Sequence, residues 1–160
     1  MTNKVTFHKF YPDAQFPQRQ TPGSSGWDLH LYMPKELRAK KKNSWDGDRI
    51  DIEPGQIVHV KTGVGVVMPL GMEGQVRSRS GLTKIGVVLA GGIGTIDSDY
   101  RGQIFVTLVN VSNLAYSLNH GDRIAQLVFC HIPLIEPTFN DEKPELDTDR
   151  GDKGFGSTGC

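Results

Sequence analysis

A stretch of nine residues between two apolar runs carries an unusual density of functional groups. Gly94 to Gly102 holds two carboxylates (Asp97 and Asp99), a phenol (Tyr100) and a guanidinium (Arg101). A tight hairpin turn needs only an Asn-Gly or Asp-Gly pair, so these groups exceed what a turn requires. A carboxylate here could orient and deprotonate a water or bind Mg²⁺, although capping the turn would use the same residues. The run is therefore predicted to be a site on a loop between strands.

Three further patterns contain groups that can bind phosphate. Residues 77–81, Arg-Ser-Arg-Ser-Gly, offer two guanidiniums, two hydroxyls and a glycine amide. Residues 150–159 offer Arg150, two hydroxyls and a glycine-rich backbone that can form an amide nest. Gln126 lies within an apolar, strand-like run, where a buried amide needs hydrogen-bond partners. Each pattern is weak evidence when taken alone.

Together, the candidate groups favour hydrolysis of a nucleoside triphosphate. Phosphate binders, a carboxylate that can activate water and an aromatic residue suit that reaction. Asp28 adds a third carboxylate, in a strand-like segment where aspartate is disfavoured. No Gly-x-x-x-x-Gly-Lys-Ser/Thr motif occurs, so a P-loop is excluded. The 5 histidines are scattered, so neither a zinc site nor a Ser-His-Asp triad is predicted.

These groups must be positioned mainly by β-strands. Runs rich in β-branched or aromatic residues alternate with glycine and proline at intervals of about 8 to 15 residues, as in sandwiches, barrels and jelly rolls. Helix signals are scarce: one turn is predicted near 82–85, and residues 34–42 form either a short exposed helix or a loop. The predicted strands are residues 5–10, 27–32, 56–60, 64–68, 87–90, 103–111 and 123–132.

The sequence pattern also predicts how three local features are packed. In residues 103–111 both alternating sets of side chains are largely apolar, so this strand is expected to be covered on both faces. Cys130 is predicted to be a small buried hydrophobe. Asp99 and Arg101 are predicted to form a salt-bridged frame for the loop rather than to act in chemistry.

Length and composition limit the functional classes. The chain has 160 residues, which favours one domain, and 18 basic residues balance 18 acidic ones, which argues against a nucleic-acid partner. No apolar run approaches about 18 residues, so no membrane segment is predicted. The 2 cysteines do not form a disulfide framework, and a cytoplasmic location is expected.

Five segments, in order along the chain, resemble the five motifs of the trimeric, all-β dUTPase family (deoxyuridine triphosphate nucleotidohydrolases). The resemblance implies a distorted jelly-roll or barrel-like fold with at most one short helix. It also implies a homotrimer with shared active sites, in which residues 1–136 form the β-domain and residues 137–160 a flexible arm that closes a neighbouring subunit's site. The matching segments are residues 25–29, 79–81, 94–102, 121–127 and 150–159.

The resemblance implies hydrolysis of dUTP to dUMP and pyrophosphate by Mg²⁺-assisted attack of water on the α-phosphorus. This reaction limits uracil in DNA and supplies dUMP for dTMP synthesis. Asp97 would orient the water, and Tyr100 would pack under the deoxyribose. The backbone around Gly91 and at Gly94, Thr95 and Ile96 would read the uracil edge.

The same resemblance assigns the phosphate end and the arm. Arg79, Ser80, Gly81 and Gln126 would lie at the α- and β-phosphates. Asp28 would contact Mg²⁺ through water. In the arm, the expected contacts are stacking of Phe155, beside Gly156, on uracil, and binding of the γ-phosphate by Arg150, Ser157 and Thr158.

Three departures from the family pattern and two alternative functions accompany this interpretation. Ser25 replaces the usual alanine, Lys153 replaces a usual glycine, and residues 33–48 look like an inserted, lysine-rich loop. A relative that deaminates dCTP is one alternative, but no glutamate occurs within residues 77–119 to act as its acid and base. The other is a regulatory protein of the same fold that uses the nucleotide as a signal.

Overall fold

The computed structural model describes residues 4–35, 41–42, 45–46 and 48–152. Thirteen strands and one short helix lie wholly within these ranges. The strands are β1 Thr6–Lys9, β2 Trp27–His30, β3 Lys41–Lys42, β4 Trp45–Asp46, β5 Arg49–Ile52, β6 Ile57–Lys61, β7 Val64–Val67, β8 Met72–Arg77, β9 Val87–Leu89, β10 Gly94–Ile96, β11 Phe105–Asn110, β12 Tyr116–Asn119 and β13 Arg123–His131, and the helix is α1 Ser80–Lys84.

The strands form four small antiparallel sheets. Their orders are β10-β8-β13-β2, β6-β11-β9, β12-β5-β4-β3 and β1-β7. Strands distant in sequence are neighbours in space, as β13 with β2 and β10 with β8. The all-β, jelly-roll-like fold class predicted from the sequence is confirmed, including the single helical turn near residue 82. No helix in the described ranges is long and apolar enough to cross a membrane.

The core is built from alternate residues of these strands. In β8 every second residue from Met72 to Val76 is buried, and the residues between them are half-buried. This alternation follows from the period of two along a strand. Leu29 on β2 and Leu127 on β13 are fully buried against the same core.

Strand β11 differs from its sequence prediction. Val106, Leu108 and Asn110 are buried, whereas Phe105 on the other face is 37% exposed. Thr107 and Val109 on that face are half-buried, so within this chain the second face is only partly covered, less than the sequence predicted. Asn110 is accommodated in the core because its side-chain amide donates to the carbonyl oxygens of Ile52 and Leu114. Cys130 is likewise half-buried rather than buried.

Two strands lie in the segment that the sequence predicted to be an inserted loop. The backbones of β3 and β4 pair with each other, and β4 pairs with β5. For residues 41–42 the prediction of a helix or loop was therefore wrong, since this part of the insertion extends a sheet. Residues 36–40 of the same prediction lie outside the described residues.

Candidate active site

Three of the motif segments meet across one sheet. Gln126 on β13 lies opposite both Asp28 on β2 and Arg77 on β8. The chain after β8 leads through Arg79 into α1, which brings Ser80 to the same place. The resulting cavity, here called the arginine cleft, has a volume of about 160 Å³. It is lined by Gln20, Ser24, Gly26, Asp28, Arg79, Ser80 and Gln126.

Asp28 is held between two guanidiniums at the base of the arginine cleft. Its side chain is only 9% exposed. Arg79 Nε donates to Oδ1 at 2.9 Å, and Arg123 Nη1 donates to Oδ2 at 3.2 Å. Arg79 Nη1 also donates to the carbonyl oxygen of Arg123 at 3.0 Å. Two cations share one buried anion, so this triad keeps one net positive charge, which favours an anionic ligand.

The side chain of Gln126 is fixed by a close approach of two strands. Its Nε2 donates to the carbonyl oxygen of Ser78 at 3.0 Å. A β-carbon at Gly26 would lie 2.1 Å from Gln126 Oε1, so only glycine leaves room for this side chain. Gly26 therefore supports the arginine cleft, a role that its place in a matching segment did not by itself assign.

The carboxylate and phenol of the nine-residue run line a different cavity, here called the tyrosine cleft. Asp97 is exposed just after β10, and Tyr100 Oη donates to the carbonyl oxygen of Gln103 at 2.9 Å. A β-carbon at Gly102 would lie 2.3 Å from that hydroxyl, so Gly102 makes room for the ring. The cleft measures about 220 Å³ and is lined by Thr95, Ile96, Asp97, Tyr100, Gln103 and Phe105.

The predicted salt bridge between Asp99 and Arg101 is not found in the described part of the chain. Arg101 Nη1 instead donates to the carbonyl oxygens of Ser98, at 2.8 Å, and Tyr100, at 3.0 Å. The Arg101 guanidinium folds back onto the backbone of its own loop and does not reach a carboxylate of that loop. The predicted frame is therefore formed by backbone carbonyl oxygens, and the prediction of Asp99 as the partner of Arg101 was wrong.

Strand β10 is an edge strand, since it lies at the end of the sheet β10-β8-β13-β2. Gly94 lies opposite Val76 and Ile96 opposite Gly74 on β8. The turn before β10 contains Gly91 and Gly92, with φ of 88° and 89°, a conformation that favours glycine. An edge strand has backbone groups on its outer side that can hydrogen-bond a ligand. A cavity of about 160 Å³ lies between Gly94, Thr95 and the residues of β11.

The arginine and tyrosine clefts are separated along the sheet. Ile96, beside Asp97, lies opposite Gly74, whereas Arg79 comes five residues after Gly74. Extended backbone advances about 3.3 Å per residue, so Arg79 lies roughly 16 Å along the chain direction from the position opposite Ile96. Within one chain, the structure therefore gathers Asp28, Arg79, Ser80 and Gln126 at one place and Asp97 with Tyr100 at another.

His30 adds a titratable group beside the triad. It lies opposite Arg123 in the pairing of β2 with β13. Burial lowers the pKa of His30, the Asp28 carboxylate opposes this, and the guanidiniums of Arg123 and Arg79 lower the pKa further. Its Nδ1 is buried and has no hydrogen-bond partner among the described residues.

The arm residues and Arg123 complete the comparison with the predicted site. In the arm, Arg150 is exposed, whereas Phe155, Gly156, Ser157 and Thr158 lie outside the described residues, as does Lys153. The sequence prediction did not single out Arg123. Arg123 could have been noticed as a charged residue at the start of an apolar strand. In the fold it lies beside the buried Asp28 carboxylate, which needs hydrogen-bond partners.

The fold and the clefts define an antiparallel all-β protein with an arginine-lined cavity and no P-loop. The family model named dUTPase matches residues 12–159, so the chain belongs to the dUTPase family.

Named relatives span nearly the whole chain. The chain is 43% identical over 150 residues to the deoxyuridine 5'-triphosphate nucleotidohydrolase of Treponema pallidum, covering 93% of each protein. It is 39% identical over 162 residues to the Monkeypox virus protein of that name, covering 99% of this chain and 93% of the relative.

Solved structures share the fold. A mutant dUTPase of Staphylococcus bacteriophage 80alpha, solved with dUpNHpp, has a TM-score of 0.79 at 24% identity and covers 99% of this chain and 100% of its own. A mutant dUTPase of phage phi11, described with a structural Mg(II) ion, has a TM-score of 0.70 at 23% identity, covering 88% and 98%. At these identities the likeness supports the fold alone.

Proposed function

We propose that this protein hydrolyses dUTP to dUMP and pyrophosphate, which limits uracil in DNA and supplies dUMP for dTMP synthesis. The observation that carries the proposal is the convergence of Asp28, Arg79, Ser80 and Gln126 on one cleft. These residues come from three separate segments that match the family's motifs. The activity itself is that of relatives about 40% identical over nearly the whole chain.

In this proposal Asp97 positions and deprotonates the attacking water. Its carboxylate is exposed in the tyrosine cleft, where it can reach a solvent molecule. The water oxygen forms a bond to the α-phosphorus, and the bond to the bridging oxygen breaks. Pyrophosphate then leaves with the electron pair of that bond, while Asp97 takes the proton of the water.

The arginine cleft would hold the phosphates. The Arg79 guanidinium, the Ser80 hydroxyl and the Gly81 amide are suited to phosphate oxygens, and the net positive charge of the triad with Asp28 and Arg123 favours the same ligand. Arg150, Ser157 and Thr158 of the arm would complete this end, whereas Phe155, beside Gly156, would stack on the uracil. Direct closure by the arm would also exclude bulk water from the reaction.

The chain's own residues fit Mg²⁺ only through water. The described residues contain no cluster of three or more His, Cys, Asp or Glu that could hold a metal ion. Each oxygen of Asp28 already accepts one guanidinium hydrogen bond, and its second lone pair can accept one from a metal-bound water. When bound, Mg²⁺ would neutralise developing charge on the phosphates.

Base and sugar selection would come from β10 and Tyr100. The outer backbone edge of Gly94 to Ile96, with the turn at Gly91, offers fixed donors and acceptors. Uracil and cytosine present opposite donor and acceptor patterns, and a fixed edge cannot satisfy both. The Tyr100 ring, held by its bond to Gln103, would pack against the deoxyribose and leave no room for a 2′-hydroxyl.

A homotrimer with sites shared between subunits would unite the two clefts. The separation of roughly 16 Å between the point of β8 opposite Ile96 and Arg79, just beyond the end of β8, supports this arrangement, since an attacking water and the phosphates must meet within a few ångströms. A second copy can bring its arginine cleft to the tyrosine cleft of the first. The half-exposed face of β11, with Phe105 stacked on His59 at 4.8 Å, is an apolar surface suited to such contact.

One assay tests the proposed function. Pyrophosphate release is measured from dUTP, dCTP, dTTP and UTP, with Mg²⁺ and with EDTA, and the mass in solution is measured in parallel. We expect strong release from dUTP alone, dependence on Mg²⁺ and a mass three times that of one chain. Comparable rates with all four nucleotides would contradict the proposal, and so would the appearance of a uracil nucleotide from dCTP.

A further inference from the structure

We propose that Arg123 is a positioning residue for phosphate binding, and that Asp28 acts chiefly by fixing the guanidiniums of Arg79 and Arg123. This inference rests on the proposed function and extends it to a residue that the matching segments left without a role. It also gives Asp28 a role that is separate from contact with a metal ion.

The Arg79 guanidinium is held in a fixed orientation. Arg79 is held at two atoms, by Asp28 at its Nε and by the carbonyl oxygen of Arg123 at its Nη1. A planar guanidinium restrained at two corners has a fixed plane, so its remaining N–H groups have a fixed direction. Arg123 supplies one restraint through its backbone and secures the other by holding the second oxygen of Asp28.

Both guanidiniums lie beside the cavities that would hold the phosphates. Arg79 lines the arginine cleft and also a neighbouring cavity of about 280 Å³, which is bordered by Gly81, Asp122 and Arg123. Arg79 is therefore the wall between the two cavities, with Ser80 and Gly81 beside it. The side chain of Arg123 is 42% exposed, so its charge borders solvent on the same side of the sheet as the predicted phosphate ligands.

The substitution Asp28→Asn separates the effect of the net charge of the triad on nucleotide binding from the effect of the orientation of its guanidiniums. Asp28→Asn removes a negative charge and raises the net charge of the triad from +1 to +2, since it leaves Arg79 and Arg123 unchanged. If charge alone governed binding, this variant would bind a triphosphate more tightly. If position governs, it would bind more weakly, because asparagine offers one acceptor oxygen in place of two and sets an NH₂ donor against the other guanidinium, so the pair is no longer held together.

The test measures the dissociation constant of dUpNHpp by calorimetry, once with Mg²⁺ and once with EDTA. We expect Asp28→Asn to weaken binding about tenfold in both buffers, the size of effect typical for lost hydrogen bonds to charged groups. Equal or tighter binding would overturn the inference. Weakening with Mg²⁺ alone would also overturn it, because Asp28 would then act through the metal ion.

Substitutions at Arg123 keep the inference testable if Asp28→Asn does not fold. Arg123→Gln is expected to weaken dUpNHpp binding and raise KM for dUTP by about fivefold, with a smaller change in kcat. Arg123→Lys retains the charge and one donor nitrogen in place of the guanidinium fork, so it should restore part of this loss. Unchanged binding and KM in Arg123→Gln, with wild-type thermal stability, would contradict a positioning role.

A matched pair on β5 provides the controls. Arg49 Nη2 donates to Asp51 Oδ2 at 3.0 Å, in an ion pair remote in sequence from all five matching segments. Arg49→Gln and Asp51→Asn should leave dUpNHpp binding unchanged, and a loss equal to that at Arg123 or Asp28 would contradict the specific role of the triad. Wild-type protein that neither binds dUpNHpp nor hydrolyses dUTP would instead defeat the proposed function.

Discussion

Asp28 and Asp97 have the same side-chain chemistry but opposite surroundings. Asp28 is buried and bonded to two guanidiniums, whereas Asp97 is exposed at the end of a short edge strand. A carboxylate whose oxygens are already engaged is suited to holding other groups in place. A carboxylate that faces solvent is suited to binding and deprotonating a water. The difference in burial therefore supports different parts for the two aspartates in the proposed reaction.

Asp97→Asn should separate water activation from binding. Asparagine keeps the size of the side chain but cannot accept the proton, so we expect a kcat about 10²-fold or more below wild type. Binding of dUpNHpp should remain within a factor of about two, since no phosphate contact is assigned to this residue. Stopped-flow pyrophosphate release and calorimetry measure the two quantities.

Asp99→Asn is the matched control for that substitution. Asp99 is an exposed carboxylate two positions further along the same loop, and no chemical role is assigned to it. Its kcat should stay near the wild-type value. A near-normal turnover in Asp97→Asn, or an equally large loss in Asp99→Asn, would show that the assignment to Asp97 is mistaken.

His30 should make the fold less stable in acid. Its pKa in the folded protein is lowered, first by burial, so between that pKa and the unfolded value near 6.5 the unfolded chain binds a proton that the folded chain does not. Stability is therefore present above about pH 6.5 and decreases as the pH falls below it. We expect the fall in melting temperature between about pH 7.5 and 5.5 to be smaller in His30→Gln than in wild type.

The control for this prediction is His131→Gln, at the exposed end of β13. It should retain the wild-type dependence of melting temperature on pH. If the His30→Gln and wild-type curves are parallel, His30 does not account for the loss of stability in acid.

At the scale of elements, Gly26 allows β2 and β13 to present Gln126 correctly. In Gly26→Ala the new methyl group would overlap Gln126 Oε1, so the whole amide would have to move and Nε2 would lose its hydrogen bond to the carbonyl oxygen of Ser78. We expect KM for dUTP to rise several-fold, by about the effect of one lost hydrogen bond, with kcat affected less. Steady-state kinetics measure both constants.

Gly23→Ala is the control, since a β-carbon at Gly23 meets no atom within 4 Å. It adds the same methyl group to the segment that precedes β2, and KM should not change. Equal increases in the two variants would mean that backbone flexibility, and not the position of Gln126, is responsible.

The sequence predicted elements where local signals were strong. β6, β7 and β13 were found because their β-branched residues alternate or cluster. β8 was missed because Glu73, Gly74 and Gln75 have low strand propensity, and it is its pairing with β13 and β10 that makes it a strand. β10 was missed because a strand of three residues has no recognisable period.

For the site, the residue patterns predicted residue types, and the family resemblance grouped the expected phosphate ligands. The structure brings Asp28 into one cleft with Arg79 and Gln126. Their separation from Asp97 depends on the register of β10 against β8, a long-range pairing that no local pattern specifies. The role of Arg123 was missed for a related reason, since a charged residue gains significance only when its buried partner is known.

At the scale of the whole molecule, the two separated clefts bear on how many chains form one site. Arg79 follows the end of β8 and Asp97 follows the end of β10, and within a single chain the two residues line different clefts. A closed, symmetric assembly repeats every contact and would pair each tyrosine cleft with an arginine cleft of another copy. Two inactive variants should then complement each other.

Asp97→Asn and Arg79→Gln, each strongly impaired alone, should recover activity when their chains are co-assembled. With random mixing of equal amounts, about one quarter of the shared sites combine an intact tyrosine cleft with an intact arginine cleft, so about a quarter of the wild-type rate is expected. Co-assembly of Asp97→Asn with Tyr100→Ala is the control, because both defects lie in the tyrosine cleft and no site becomes intact. Activity no greater than the sum of the separate variants, in mixed assemblies verified by differently tagged chains, would mean that each chain completes its own site.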